Sequence, residues 1–145
     1  MQHIKAVNYK KRHQENLELE IIPFKSLRKI LRDTKDHDPF RAHQLKFNIL
    51  LIVTGGVKGK HGIDFKNYAY EPRSVIQIAK DQIHRFMDIP NRNEGYLMMF
   101  TESLFLDIGV NYPFIIKHFY NNQLYDPVHR LNEKQFGSLL ALVLK

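Results

Sequence analysis

The sequence predicts a mostly β domain followed by C-terminal helices, with a small antiparallel β-barrel or sandwich as its centre. Three observations predict it. Between positions 47 and 86, apolar runs of three to seven residues follow one another closely, bounded by Gly, Pro and Asn. Runs this short and this closely punctuated read as consecutive strands joined by tight turns. Gly95-Tyr96-Leu97-Met98-Met99-Phe100 repeats the pattern once more. Beyond Phe100 the apolar spacing changes to that of helices, most clearly at Phe136, Leu139, Leu140, Val143 and Leu144.

The elements follow in order. Residues 1–16 are polar, with a Lys10-Lys11-Arg12-His13 run, and read as a solvated lead-in. Leu17-Glu18-Leu19-Glu20-Ile21 alternates with period two, as a strand at a sheet edge does, and Pro23 ends it. Ser26 is placed to cap a short helix through Leu27, Ile30 and Leu31, with Lys25, Arg28, Lys29 and Arg32 on its other face. A polar loop over 33–39 precedes Arg41-Ala42-His43-Gln44-Leu45, which leads into the strand Phe47-Asn48-Ile49-Leu50-Leu51-Ile52-Val53. That strand is apolar on both faces, so it needs a layer on each side or a place in a filled barrel wall. Gly55-Gly56 reads as hairpin chemistry. Ile63-Asp64-Phe65 and Tyr68-Ala69-Tyr70 flank Lys66-Asn67, Pro72 stops the second run, and Val75-Ile76-Gln77-Ile78 and Ile83-His84-Arg85-Phe86 follow. Met98 and Met99 read as core filler. Thr101 is a candidate N-cap, with Glu102 suited to the first turn. Phe114, Ile115, His118 and Phe119 fall at helical spacing. Asn132 with Gln135 three residues on matches a capping box opening the last helix.

The length of 145 residues suits one domain with a sizeable core. With no cysteine, disulfides and thiolate metal sites are excluded, and the composition fits a reducing cytoplasm. No apolar run approaches the ~20 residues of a membrane span, and Met1-Gln2-His3-Ile4-Lys5 has no signal-peptide core. The net charge of +7, from 22 basic and 15 acidic side chains, permits approach to nucleic acid. The basic residues are dispersed along the chain, which favours a solvated surface over a nucleic-acid footprint.

Ile63-Asp64-Phe65-Lys66-Asn67-Tyr68, Pro72-Arg73-Ser74-Val75, Gln82-Ile83-His84, Gly95-Tyr96 and Phe100-Thr101-Glu102 follow in one order. In that order the chain, over roughly 17–145, resembles the N-terminal sensor domain of AraC-type transcription regulators. The resemblance implies a cupin-like, jelly-roll β-barrel over 17–100 and a helical dimerisation segment over 101–145. It also implies a DNA-binding half with two helix-turn-helix motifs, which 101–145 do not resemble, so the chain reads as the sensor half of a longer protein. Lys80-Asp81 departs from the Pro-Gly usual before Gln-x-His in that family, which sets the family's turn geometry in question here, since Gly permits positive φ and Asp does so less readily.

Enzymatic cupins hold a metal with two His at i and i+2, a Glu four residues later and a further His. Here His43 matches the first position and His84 the last, while Leu45 and Ile49 stand at the other two. Aliphatic side chains donate no electron pair, so the expectation is no metal, no cofactor and no catalysis. The resemblance implies a small-molecule effector held inside the barrel. If the strand over 45–53 is extended, Leu45, Phe47, Ile49, Leu51 and Val53 share one face, an apolar pocket wall. His43, His61, His84 and Tyr96 are the candidate polar contacts. The stripe Phe136, Leu139, Leu140, Val143 and Leu144, with Leu142 off it, makes the last helix apolar over more than one face and is the candidate homodimer surface. The alternatives are a metal-dependent cupin enzyme, an isomerase or dioxygenase, and a direct nucleic-acid binder using the basic helix at 25–32.

Overall fold

The computed structural model describes residues 5–7, 19–33, 43–45, 47–101 and 126–143. They hold β1 (Lys5–Val7), β2 (Leu19–Pro23), α1 (Phe24–Asp33), β3 (His43–Leu45), β4 (Asn48–Gly56), β5 (Gly59–Ile63), β6 (Lys66–Tyr70), β7 (Ser74–Ile78), β8 (Ile83–Arg85), β9 (Asn93–Phe100), β10 (Val128–Arg130) and α2 (Glu133–Val143). The strands form two five-stranded sheets, in the orders β1-β3-β8-β5-β6 and β10-β7-β4-β9-β2. All pairings are antiparallel except the parallel β1–β3 pair. Among the described residues no closed barrel forms, because no strand pairing joins one sheet to the other. The chain is mostly β, with two helices in the described residues.

One core lies between the sheets. Ile63, Tyr70 and Phe86 come from the first; Ile49, Leu51, Val53, Ile76, Ile78, Leu97 and Met99 come from the second. Helix α1 adds Phe24, Leu27 and Leu31, spaced i, i+3, i+7 on one face. Leu50 and Ile52 of β4 point the other way, into a second cluster with Val75, Tyr96 and Phe136 of α2. Strand β4 is thus apolar on both faces because a layer covers each.

Several local expectations change. The polar lead-in contains a strand, β1, and the segment 101–145 contains β10, which extends the second sheet at β7. Helix α1 begins at Phe24, directly after Pro23, so Ser26 lies inside its first turn and is not its cap. His43–Leu45 is a strand of the other sheet, not the lead into β4. The segments headed by Thr101 and containing Phe114, Ile115, His118 and Phe119 lie outside the described residues.

The turns depart from the sequence pattern as well. The β5–β6 hairpin turns at Asp64 and Phe65, with φ of 49° and 66°, two residues earlier than Lys66-Asn67. Two consecutive positive φ values are the mark of a type I′ turn, whose twist matches that of paired strands. Asp64 is pinned there by the Ile83 N–H, which donates to its Oδ1 at 3.1 Å, and by Gln82 Nε2, which donates to its Oδ2 at 2.8 Å. Arg73 and Asp81 both take φ of 72° at the third position of turns closed by Ser74 N to Glu71 O and by Gln82 N to Ala79 O. That is the type II pattern, and Asp81 adopts it without being Gly.

Gly55-Gly56 is not a hairpin, since β4 and β5 belong to different sheets. The glycines sit at a bulge, where the β4–β9 register shifts between Val53 and Gly55. Gly56 has φ of 103°, and a Cβ there would lie 2.4 Å from the Arg92 carbonyl oxygen. Asn93 Nδ2 closes the bulge, donating to the carbonyls of Gly55 (3.1 Å) and Val57 (2.9 Å).

Arg28 does not lie on a free basic face. Its guanidinium donates to the carbonyls of Pro90 (2.9 Å) and Asn93 (3.1 Å) and pairs with Glu94 at 3.3 Å. One of the four basic residues of α1 thereby fastens the helix to the β8–β9 connection.

The capping box at α2 forms as read. Gln135 N–H donates to Asn132 Oδ1 at 2.8 Å, and Asn132 N–H donates to Gln135 Oε1 at 3.1 Å. Asn132→Ala should lower stability by about 1 kcal/mol, read as a shifted urea midpoint at unchanged slope. A shift beyond about 2 kcal/mol would mean that Asn132 does more than cap.

Candidate functional site

The buried polar side chains of the described residues are Asn48, His61, Ser74, Gln77, His84 and Asn93, and the two imidazoles meet where β5 and β8 lie side by side. There the register sets Ile63 opposite His84 and Gly62 opposite Arg85. Alternation along β5 puts His61 on the same face as Ile63, which points into the core. His61 Nε2 and His84 Nδ1 approach to 3.1 Å, a hydrogen bond between the rings. Neither side chain reaches solvent beyond 1%. Phe86 closes the cluster, edge-on to both rings at 5.5 and 5.0 Å between centroids.

Burial acts strongly on His61. Desolvation, with the charge of Arg85 adding to it, lowers its pKa to about 3, so the ring stays neutral at physiological pH. A neutral imidazole has one donor and one acceptor nitrogen. Nε2 is engaged with His84, while Nδ1 has no hydrogen-bond partner among the described residues. A buried polar atom left so costs about 1–3 kcal/mol, and a core of this kind normally avoids it.

The depressed pKa has a consequence for acid stability. The unfolded chain takes up a proton near pH 6.5 and native His61 only near 3. Stability is therefore intact above pH 6.5 and falls as pH drops through that window, by about 1.4 kcal/mol per unit from this group. Urea midpoints measured between pH 7 and 4 should fall more steeply for the wild type than for His61→Gln. Parallel slopes would show that His61 is not buried neutral.

The candidate residues divide by location. His61 and His84 meet. His43 is the register partner of His84 across β3–β8, and Leu45 that of Val7. Ile49 is fully buried in the same core, and half-buried Phe47 packs against it. Tyr96 is elsewhere: it lies on the outer face of the second sheet with Ile52, Val75 and Phe136. No pocket wall shared by Tyr96 and the imidazoles forms. Of the helical stripe, Phe136 is buried in that outer cluster, with Leu139 and Leu140 half-buried beside it, so the stripe packs first on its own sheet. The side chain of Val143, and Leu144, lie outside the described residues. Among the described residues, no three His, Cys, Asp or Glu side chains are grouped to hold a metal ion, and no helix is long and apolar enough to cross a membrane.

Sequence reasoning missed Phe86 and Asn93. Phe86 was legible, since it sits two residues from His84 in an alternating run. Asn93 was not, because Asn91-Arg92-Asn93 reads as loop. It is 1% exposed, accepts a hydrogen bond from the Tyr70 hydroxyl and holds the Gly55 bulge. Burial and the Asp88 carboxylate raise the Tyr70 pKa, keeping that hydroxyl protonated as a donor. Compared with known proteins, the sequence matches no protein-family model and no curated protein.

Proposed function

We propose that this chain is the ligand-sensing and dimerisation module of an AraC-type transcription regulator, its β-sandwich a cupin-like jelly roll and its DNA contacts made by a helix-turn-helix half outside these residues. The observation that carries the reading is the buried His61–His84 pair, with His61 Nδ1 lacking a hydrogen-bond partner among the described residues. An effector with a hydroxyl or carbonyl group satisfies that nitrogen in one arrangement of the sheets and not in another, and so shifts the population between them. Helix α2, packed on the outer face of the second sheet, is the element that passes the shift on and meets a second copy.

Thermal-shift screening of neutral polyols and small carbonyl compounds tests the sensor. A compound that raises Tm in the wild type and has no effect on His61→Phe is the expected result. A full screen without such a compound, for a protein that sediments as a monomer at high concentration, would remove the reading. A metal-dependent cupin enzyme is the alternative, with His43 and His84 at two of its ligand positions, and elemental analysis separates the two. The purified protein should carry no stoichiometric iron, manganese, nickel or zinc; one equivalent, lost in His43→Ala or His84→Ala, would replace the sensor by the enzyme.

A further inference from the structure

The β6–β7 turn, the start of β5, the β8–β9 connection and β10 converge on a groove of about 670 Å³. Small-molecule sites span roughly 300–1,000 Å³. None of its lining residues belongs to the imidazole pair, so a ligand in this groove is independent of an effector in the core. Lys58, Lys60, Arg92 and Arg130 line it against three carboxylates, Glu71, Asp88 and Asp126. These carboxylates are unequally committed. Asp88 accepts from the Lys60 backbone N–H at 2.8 Å and from Arg92 at 3.1 Å. Asp126 accepts from the Val128 backbone N–H at 2.8 Å. Among the described residues the Glu71 carboxylate has ion pairs alone, with Arg130 Nε at 2.5 Å and Lys58 Nζ at 3.9 Å, and Ala69 and Val128 supply apolar wall nearby.

We propose that this groove binds a small carboxylate with a compact apolar body. The ligand carboxylate takes the position of the Glu71 carboxylate between Arg130 and Lys58, and the body lies against Ala69 and Val128. The guanidinium fork of Arg130 suits a planar carboxylate. Glu71 swings to solvent at little cost, because Lys58 and Arg130 are 83% and 65% exposed and such pairs are weak. Arg130 ends β10, and Asn132, two residues on, caps α2, so occupancy is felt at the start of that helix.

The test is an amide chemical-shift titration with benzoate, with benzamide as the neutral isostere. Benzoate should give saturable shifts at 58–60, 69–71 and 128–130, and benzamide should not. Arg130→Gln and Lys58→Gln should each weaken benzoate about fivefold, and Glu71→Gln should tighten it by a similar factor, by removing the competing carboxylate. Lys25→Gln, the same change in charge on the exposed side of α1, should leave the affinity unchanged. Shifts that do not saturate, equal response to benzamide, weaker binding in Glu71→Gln, or the same loss in Lys25→Gln would each overturn the proposal. Dispersed spectra of every variant report folding in the same measurement.

Discussion

Gly95→Ala should leave the protein unable to reach its native fold. A Cβ at Gly95 would lie 2.0 Å from the Ile52 carbonyl oxygen and 2.7 Å from Cε2 of Phe24. The first contact is with backbone of β4, the neighbour of β9 in the middle of the second sheet. Relief needs that ladder to open beside its bulge, and no side-chain rotation supplies it. Ordinary overpacking costs about 1–3 kcal/mol, and a clash with backbone exceeds it, against a total stability of about 5–15 kcal/mol. Circular dichroism and urea unfolding decide. Gly137→Ala is the contrast: nothing lies within 4 Å of a Cβ there, and the site is exposed inside α2. It should stabilise by about 0.5–1 kcal/mol. A Gly95→Ala protein within about 1 kcal/mol of the wild type would show that β4 and β9 are not packed as described.

Phe24→Ala should cost about 3–5 kcal/mol. The ring is fully buried, lies over β9 at Gly95, and belongs to the same core as Leu27 and Leu31. Its loss opens a cavity under α1 while Arg28 still ties that helix to the β8–β9 connection, so the site cannot collapse freely. The double variant with Gly95→Ala separates the two contacts. Removing the ring relieves the 2.7 Å contact and leaves the Ile52 contact in place, so Phe24→Ala should not rescue Gly95→Ala. Rescue would place the dominant clash on the ring.

Side-chain pattern made the strands legible, and backbone conformation hid the turns. The runs around Ile49, Ile76 and Leu97 became strands because burial on both faces leaves a continuous apolar signature. The Asn132 cap was legible because its partner is three residues away. Asp64, Phe65, Arg73 and Asp81 carry positive φ without being glycine, and for Phe65 and Arg73 nothing in the side chain favours that conformation. Conversely, Gly55 and Gly56 announced a hairpin and made a bulge, because their partners in β9 lie some 38 residues on. The imidazole pair was legible as two candidates but not as a pair. Their contact follows from the β5–β8 register, which no local spacing encodes. Tyr96 was grouped with them wrongly in space, since parity along β9 puts it with Ile52 on the opposite face of the sheet.

The strand order of the second sheet sets a schedule for synthesis. Its middle, β7-β4-β9, can assemble once residue 100 has left the ribosome. One edge is closed by β2, already waiting, but the other is closed by β10 at 128–130. Until that segment emerges, β7 presents an open edge of fully buried-type sequence, Ser-Val-Ile-Gln-Ile, to other nascent chains. At about 5–20 residues per second the interval lasts a few seconds.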